Sequence, residues 1–273
     1  MKLLLSFVLS LTLSAANLCG ANLDGLNIHS TTTGKGPSTV ILVHGWTCDE
    51  TTWTEQVPAL AKQYRVVTLD LPGHGKSDSP KDGKFSMDLF ARAIEAVRAE
   101  VGADHVVLVG HSMGTPVVLR YARLYPQHTA ALVFVDGLMP TAGAAPNAGM
   151  GSIMGGPTGR ATREGMIHGF FSASTTPAIQ TKILEMMLGA PEATAVGAMN
   201  ASFEAAGQTA DPLKVPAFGL YAGPSQISNR EGVLAHFPNA EFAQIAGTGH
   251  FLMLEKPEEF NRLLLAFLAK QKY

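Results

Sequence analysis

Short apolar runs with no polar side to turn toward water decide what this chain folds into. Residues 40–43 (Val-Ile-Leu-Val), 106–109 (Val-Val-Leu-Val) and 131–135 (Ala-Leu-Val-Phe-Val) are continuous and too short for helices. Strands covered on both faces read this way. The strand candidates are residues 39–43, 64–69, 105–109, 131–135, 217–221 and 240–245. Helical patterns fill the spaces between them, at 53–62, 87–101, 115–125, 229–236 and 257–270. Such alternation implies parallel strands joined by crossover helices, so the expected class is α/β, a mostly parallel central sheet with helices on both faces. The alternation stops once. From 139 to 211 a Gly- and Pro-rich opening leads into helical segments at 177–188 and 193–206, with no strand pattern. A stretch of that length is not a passive loop, and it is expected to form a helical cap over the strand ends, inserted in a core of residues 22–138 and 212–273.

The first residues have a different character. Lys2 precedes the apolar run 3–13, and Ser14, Ala15 and Ala16 follow it, the layout of a secretory leader. The run is short for a membrane span. Residues 1–21 are therefore expected to be a signal peptide, cleaved after Ala16 or after Ala21, and the mature protein to be exported, periplasmic or extracellular, with no stable membrane span. Leu18 before Cys19 fits a lipoprotein signal poorly. Cleavage after Ala21 would remove Cys19 and leave Cys48 as a lone thiol.

Charge narrows the partners. Twenty Lys and Arg against 22 Asp and Glu give a net charge of −2, with no long run of one sign, which argues against a nucleic-acid ligand. Two cysteines make no disulfide framework, and Cys and His show no zinc-ligand spacing, so no metal site is expected; no organic cofactor is expected either.

The chemistry concentrates at Gly110-His111-Ser112-Met113-Gly114, a G-x-S-x-G between a strand candidate and a helix candidate. A sharp strand-to-helix turn presents the Ser hydroxyl clear of the backbone, and the following helix N-terminus aims N–H groups at the same point. Ser112 is the candidate nucleophile.

On these residues the chain resembles the α/β-hydrolase superfamily of esterases and lipases, over nearly its whole mature length. Further motifs arrive in the family's order. His44-Gly45-Trp46 closes a strand where the family places an oxyanion-hole turn. Asp70-Leu-Pro-Gly-His-Gly-Lys-Ser77 matches D-x-P-G-x-G-x-S, and Gly247-Thr-Gly-His250 precedes Glu255-Lys-Pro257 and a closing helix. The resemblance implies a Ser hydrolase in which His250 is the general base and the backbone N–H groups of Met113 and Trp46 form the oxyanion hole. His44 and His74 fall in turns where bracing of the backbone is usual. The acid departs from the commonest family pattern, because Gln226 stands where most relatives carry a carboxylate after the seventh strand. A minority branch places the acid after the sixth strand, where Asp136 ends Ala-Leu-Val-Phe-Val. Asp136 is thus the expected acid and Glu231 the alternative.

The cap sequence is rich in Met and Phe and poor in charge, as suits an adaptable apolar pocket. Trp46, Met113, Phe170 and Phe171 are expected to line it. Arg160 and Arg163 are either solvated or a carboxylate clamp. The expected partner is a small apolar ester, cleaved through an acyl-enzyme. Ser112 disfavours the dehalogenases and epoxide hydrolases of this fold, which use a carboxylate nucleophile. Carbon–carbon bond hydrolases and cofactor-free haloperoxidases or perhydrolases share the same Ser, His and Asp and stand as alternatives. A ligand receptor with a retained triad is the reading outside enzymology.

Overall fold

A computed structural model describes residues 17–137, 139, 149–203, 211–223, 225 and 230–271. Its strands are β1 (Asn17–Leu23), β2 (Leu26–Thr33), β3 (Thr39–Val43), β4 (Arg65–Leu69), β5 (Val106–His111), β6 (Thr129–Val135), β7 (Ala217–Gly223) and β8 (Glu241–Ala246). They form one eight-stranded sheet in the order β1-β2-β4-β3-β5-β6-β7-β8. From β4 onward each neighbouring pair is parallel, while β1 and β2 join the β4 edge antiparallel. The central strands are buried along their length, Val40 to Val43 and Val106 to Val109 with no exposed surface. This is the arrangement that their unbroken apolar runs require.

Outside the insertion the helices are α1 (Val57–Leu60), α2 (Met87–Glu100), α3 (Gly114–Leu124), α7 (Arg230–His236), α8 (Leu252–Glu255) and α9 (Pro257–Leu268), of which α1, α2, α3 and α9 pack on strands of the sheet. Local chemistry sets their ends. Ser86 caps α2 by accepting from the Leu89 N–H at 3.1 Å, and Pro257 begins α9, where its missing N–H costs no helical bond. The 53–62 expectation resolves into a 3-10 turn, Glu50–Trp53, and the short α1.

Two features differ from expectation. The hairpin of β1 and β2 lies partly inside the expected leader. Asp24 and Gly25 take φ of 50° and 83° between strands whose inward residues, Ala21, Leu23, Leu26 and Ile28, are buried. Asp-Gly with two positive φ values is the two-residue turn whose twist matches a hairpin. Residues 17–21 are therefore part of the sheet. Cleavage after Ala21 would strip residues 17–21 from a strand paired with β2 along its length, whereas cleavage after Ala16 leaves it whole. Residues 1–16 lie outside the described residues.

The second difference is in the insertion that follows β6, where α4 (Gly159–His168) precedes the expected α5 (Pro177–Gly189) and α6 (Glu192–Ser202). Among the described residues of 149–203 there is no strand. The insertion rests on loops at the carboxyl ends of the parallel strands. The Trp46 indole N–H donates to the Ala195 carbonyl at 2.8 Å, and the Thr194 hydroxyl donates to the Gly73 carbonyl at 2.8 Å. Ligands of open α/β sheets bind at that edge, and the insertion is a cap in this positional sense.

Candidate active site

Ser112 is the hinge of the turn between β5 and α3. Its φ is +53°, a left-handed value that costs a non-glycine residue roughly 1–2 kcal/mol. The surroundings enforce it. The Ser112 N–H donates to the Val135 carbonyl at 2.9 Å, and the Ser112 carbonyl accepts from the Thr115 N–H at 2.9 Å. The flanking glycines are there for clearance: a Cβ on Gly110 would stand 2.3 Å from the Gly114 carbonyl oxygen, and one on Gly114 would stand 2.7 Å from that of Val43. The turn after β3 is equally close, since a Cβ on Gly45 would lie 3.0 Å from the Ser112 Cβ. Ser112 is half-buried.

His250 follows β8 and is fixed on every side. Its Nδ1 lies 2.8 Å from Oδ2 of Asp136. Its N–H donates to the Phe170 carbonyl at 3.0 Å. Its carbonyl accepts from Nε2 of His111 at 2.9 Å. The rings of Phe170 and His111 each stand 4.6 Å from the imidazole, centroid to centroid. A carboxylate only accepts, so the His250 proton sits on Nδ1 and the lone pair on Nε2.

Asp136, at the end of β6, has φ of +40° and is buried. Oδ1 accepts from the Ala222 N–H at 3.1 Å. Burial opposes its ionisation, but hydrogen bonds from His250, Ser225 and the Ala222 N–H, with the His250 charge, outweigh it and hold the carboxyl below its ordinary range. Glu231, the alternative acid, is exposed on α7, and Gln226 lies outside the described residues. The structure thus brings Asp136 and His250 together, and His111 ties His250 to the residue preceding Ser112.

Of the expected pocket residues, Met113 is buried at the start of α3, and Phe170 lies against His250. The Trp46 side chain is buried and its N–H is committed to α6. Phe171 instead packs edge-on against His168, 5.4 Å between centroids. Arg163 is buried within the cap, donating to the Met154 carbonyl at 2.7 Å. Arg160 is exposed.

Other groups brace the turns. His44 accepts from the Leu71 N–H at 2.9 Å and donates to the Gly45 carbonyl at 2.8 Å. Asp70 accepts from the N–H groups of Glu50 and Lys76 at 2.7 and 2.8 Å. Ligand atoms of His29, Glu50 and Asp70 lie within 4.8 Å of one another. The Lys76 ammonium stands 3.2 Å from Glu50, and the group ties β2 to the turns after β3 and β4. Cys48 is a free, buried thiol pushed up to about 12 by burial and by Asp49. It stays protonated and is no nucleophile at neutral pH. A cavity of about 350 Å³ lies beside it, lined by Thr47, Asp49, Lys76, Met186 and Pro191 among others.

Sequence reasoning singled out Ser112, His250 and Asp136 but gave no role to His111. Burial and the neighbouring His250 hold His111 well below the ordinary imidazole range, so it is neutral, with its proton on the Nε2 that donates to His250. Its place one residue before Ser112 was the only signal for it.

Residues 38–157 match the profile of the alpha/beta hydrolase fold. A 2-hydroxy-6-oxononadienedioate/2-hydroxy-6-oxononatrienedioate hydrolase of Paraburkholderia phymatum is 30% identical, over 90% of this chain and 92% of that protein. A thermophilic esterase from Thermogutta terrifontis superposes with a TM-score of 0.82 at 26% identity, covering 93% of this chain and 98% of that one. A bromoperoxidase from Bacillus anthracis gives 0.81 at 26% identity, covering 93% and 100%. These matches define the class, that of the alpha/beta hydrolase fold. The chain belongs to the α/β-hydrolase family, and it is a hydrolase.

Proposed function

We propose that this protein is a serine hydrolase that cleaves carboxylic esters with apolar acyl or alkyl groups through an acyl-enzyme. The observation that carries the reading is the 2.8 Å Asp136–His250 pair, buried at the same edge as the strained Ser112 turn. A hydroxyl is a weak nucleophile until a base takes its proton. His250 accepts that proton at Nε2 as the Ser112 oxygen bonds to the substrate carbonyl, and Asp136 stabilises the imidazolium that results. The backbone N–H groups of Met113 and Trp46 face the negative charge that develops on the carbonyl oxygen, each worth about 3 kcal/mol. His250 then returns the proton to the departing alcohol, and water releases the acid by the same path in reverse.

A second reading has specific support. The substrate named for the Paraburkholderia phymatum relative carries hydroxyl, ketone and carboxylate groups but no ester, so water must break a carbon–carbon bond beside its ketone. The same Ser, His and Asp would serve, the leaving group being carbon.

The test is a panel of p-nitrophenyl esters, acetate to long acyl chains, beside a 2-hydroxy-6-oxo-dienoate, on wild type and Ser112→Ala. We expect ester turnover that Ser112→Ala abolishes. Turnover of the dienoate alone selects the second reading, turnover surviving the substitution removes Ser112, and tight binding without turnover means a receptor.

The leader reading extends to location. We propose export after cleavage behind Ala16, supported by Lys2, the apolar run and the pairing of residues 17–21 with β2, which cleavage after Ala21 would remove. N-terminal sequencing of the exported protein should read from Asn17. A start at Asn22, or an intact Met1, would overturn it.

A further inference from the structure

One carboxylate joins the loop that carries His250 to the cap. Glu255, at the end of α8, accepts at Oε2 from the Gly249 N–H at 2.7 Å, the Ser172 hydroxyl at 2.8 Å and the Ser174 hydroxyl at 2.6 Å. At Oε1 it accepts from the Thr175 hydroxyl at 2.9 Å. The hydroxyls come from the turn between α4 and α5, and Thr175 in addition accepts from the Ser172 N–H at 2.8 Å. Among the described residues no Lys, Arg or His pairs with Glu255. The carboxylate gathers neutral donors from two separate segments, and those charge-assisted bonds are stronger than bonds between neutral groups.

The segments also touch backbone to backbone. A Cβ on Gly249 would stand 2.5 Å from the Phe170 carbonyl oxygen and 3.1 Å from the Ser172 nitrogen. The same Phe170 carbonyl accepts from the His250 N–H. The cap turn and the histidine loop therefore cannot shift separately without breaking several bonds at once.

We propose that Glu255 is a positioning residue. It clasps the His250 loop and the 172–175 turn into one unit, so that seating of the cap and aim of the base are set together. The proposal rests on the reading of Ser112 and His250 as nucleophile and base. Glu255 touches neither reacting atom and acts through Gly249. A misplacement of about 1 Å in such a group costs on the order of 10²-fold in rate.

Three variants of the full chain test it: Glu255→Ala, Glu255→Gln, and Ser172→Ala/Ser174→Ala/Thr175→Val, which leaves the Glu255–Gly249 bond intact. Amide hydrogen exchange is read for peptides covering 170–176 and 247–251, and Ser112 labelling by a fluorophosphonate is timed beside ester kcat and KM. We expect exchange to rise in both peptides together in Glu255→Ala and in the triple variant. Labelling and kcat should fall by at least tenfold in Glu255→Ala and severalfold in the triple variant. Glu255→Gln, whose amide oxygen still accepts from Gly249, should recover most of the rate. Loosening of only one peptide, wild-type labelling in the triple variant, or equal losses in Gln and Ala would each overturn the proposal. Should Glu255→Ala not fold, the triple variant decides alone. A wild type that resists the label while the clasp behaves as expected would unseat the serine-hydrolase reading and leave the clasp standing.

Discussion

Asp136 is a residue whose charge is held by its fold. Its carboxyl ionises below the ordinary range because His250, Ser225 and the Ala222 N–H favour the anion against the cost of burial. A depressed native value contributes stability that is present in full above the unfolded carboxyl pKa. That contribution is lost as pH falls through the native one. Asp136→Asn should remove this dependence, so that its melting temperature falls less steeply than that of wild type below about pH 4. Its kcat/KM should fall on the order of 10³- to 10⁴-fold, because the amide no longer favours the imidazolium or fixes the tautomer. Glu231→Gln, at an exposed position, should leave both unchanged. The reverse pattern would transfer the acid to Glu231. Ser112, His250 and Asp136 were legible because each sits next to a strand end or within a motif that restricts backbone shape. Glu255 was legible only as part of a motif, since its partners at 172–175 lie in a cap turn whose place against α8 no local pattern encodes.

At the scale of elements, continuous apolar runs read correctly because a strand with helices on both sides has no polar face to hide. The observed β3 has the bounds expected of it, and β4 to β8 shift by a residue or two at their ends. What went unread was the hairpin of β1 and β2. Neither strand was among the candidates, although Asp24-Gly25 between alternating apolar positions marks a hairpin, and of the two cleavage sites only the one after Ala21 cuts into it. The hairpin matters because β2 pairs with β4 on one side and β1 on the other. Without β1 a row of unpaired N–H and C=O groups would face solvent. In the cap, α4 was missed because Gly159, Gly165 and Gly169 dilute its helical pattern, and burial of Ile167 and Arg163 supplies what propensity lacks.

Across the whole molecule, cap and core meet through a small set of buried polar bonds in addition to apolar packing. Thr194 is the most testable of them, being buried and donating its hydroxyl to the Gly73 carbonyl in the turn after β4. Thr194→Val keeps the shape and leaves that carbonyl unsatisfied, at a cost of about 1–3 kcal/mol. Thermal unfolding should move down by roughly 2–4 °C per kcal/mol for a chain of this size. KM for long-chain esters should rise more than KM for acetate if the cap's seating shapes the pocket. An unchanged melting temperature would show that this contact carries no net weight.

The cap leaves the sheet after β6 and returns at β7, and these strands are immediate neighbours, with Val135 opposite Leu220. The two junctions of the insertion, at Val135 and at Ala217, are thus one strand apart sideways and three residues, roughly 10 Å, apart along the strands, since Ala217 lies opposite Leu132. In evolutionary terms the cap is an exchangeable cassette: a different helical lid grafted between the same two strands would meet no topological obstacle. One graft junction, however, falls at Asp136 itself, and the incoming lid would have to supply its own hydroxyl-bearing turn for Glu255. Lids would diversify most freely when they travel with that turn, which would let substrate choice drift while proton transfer stays where it is.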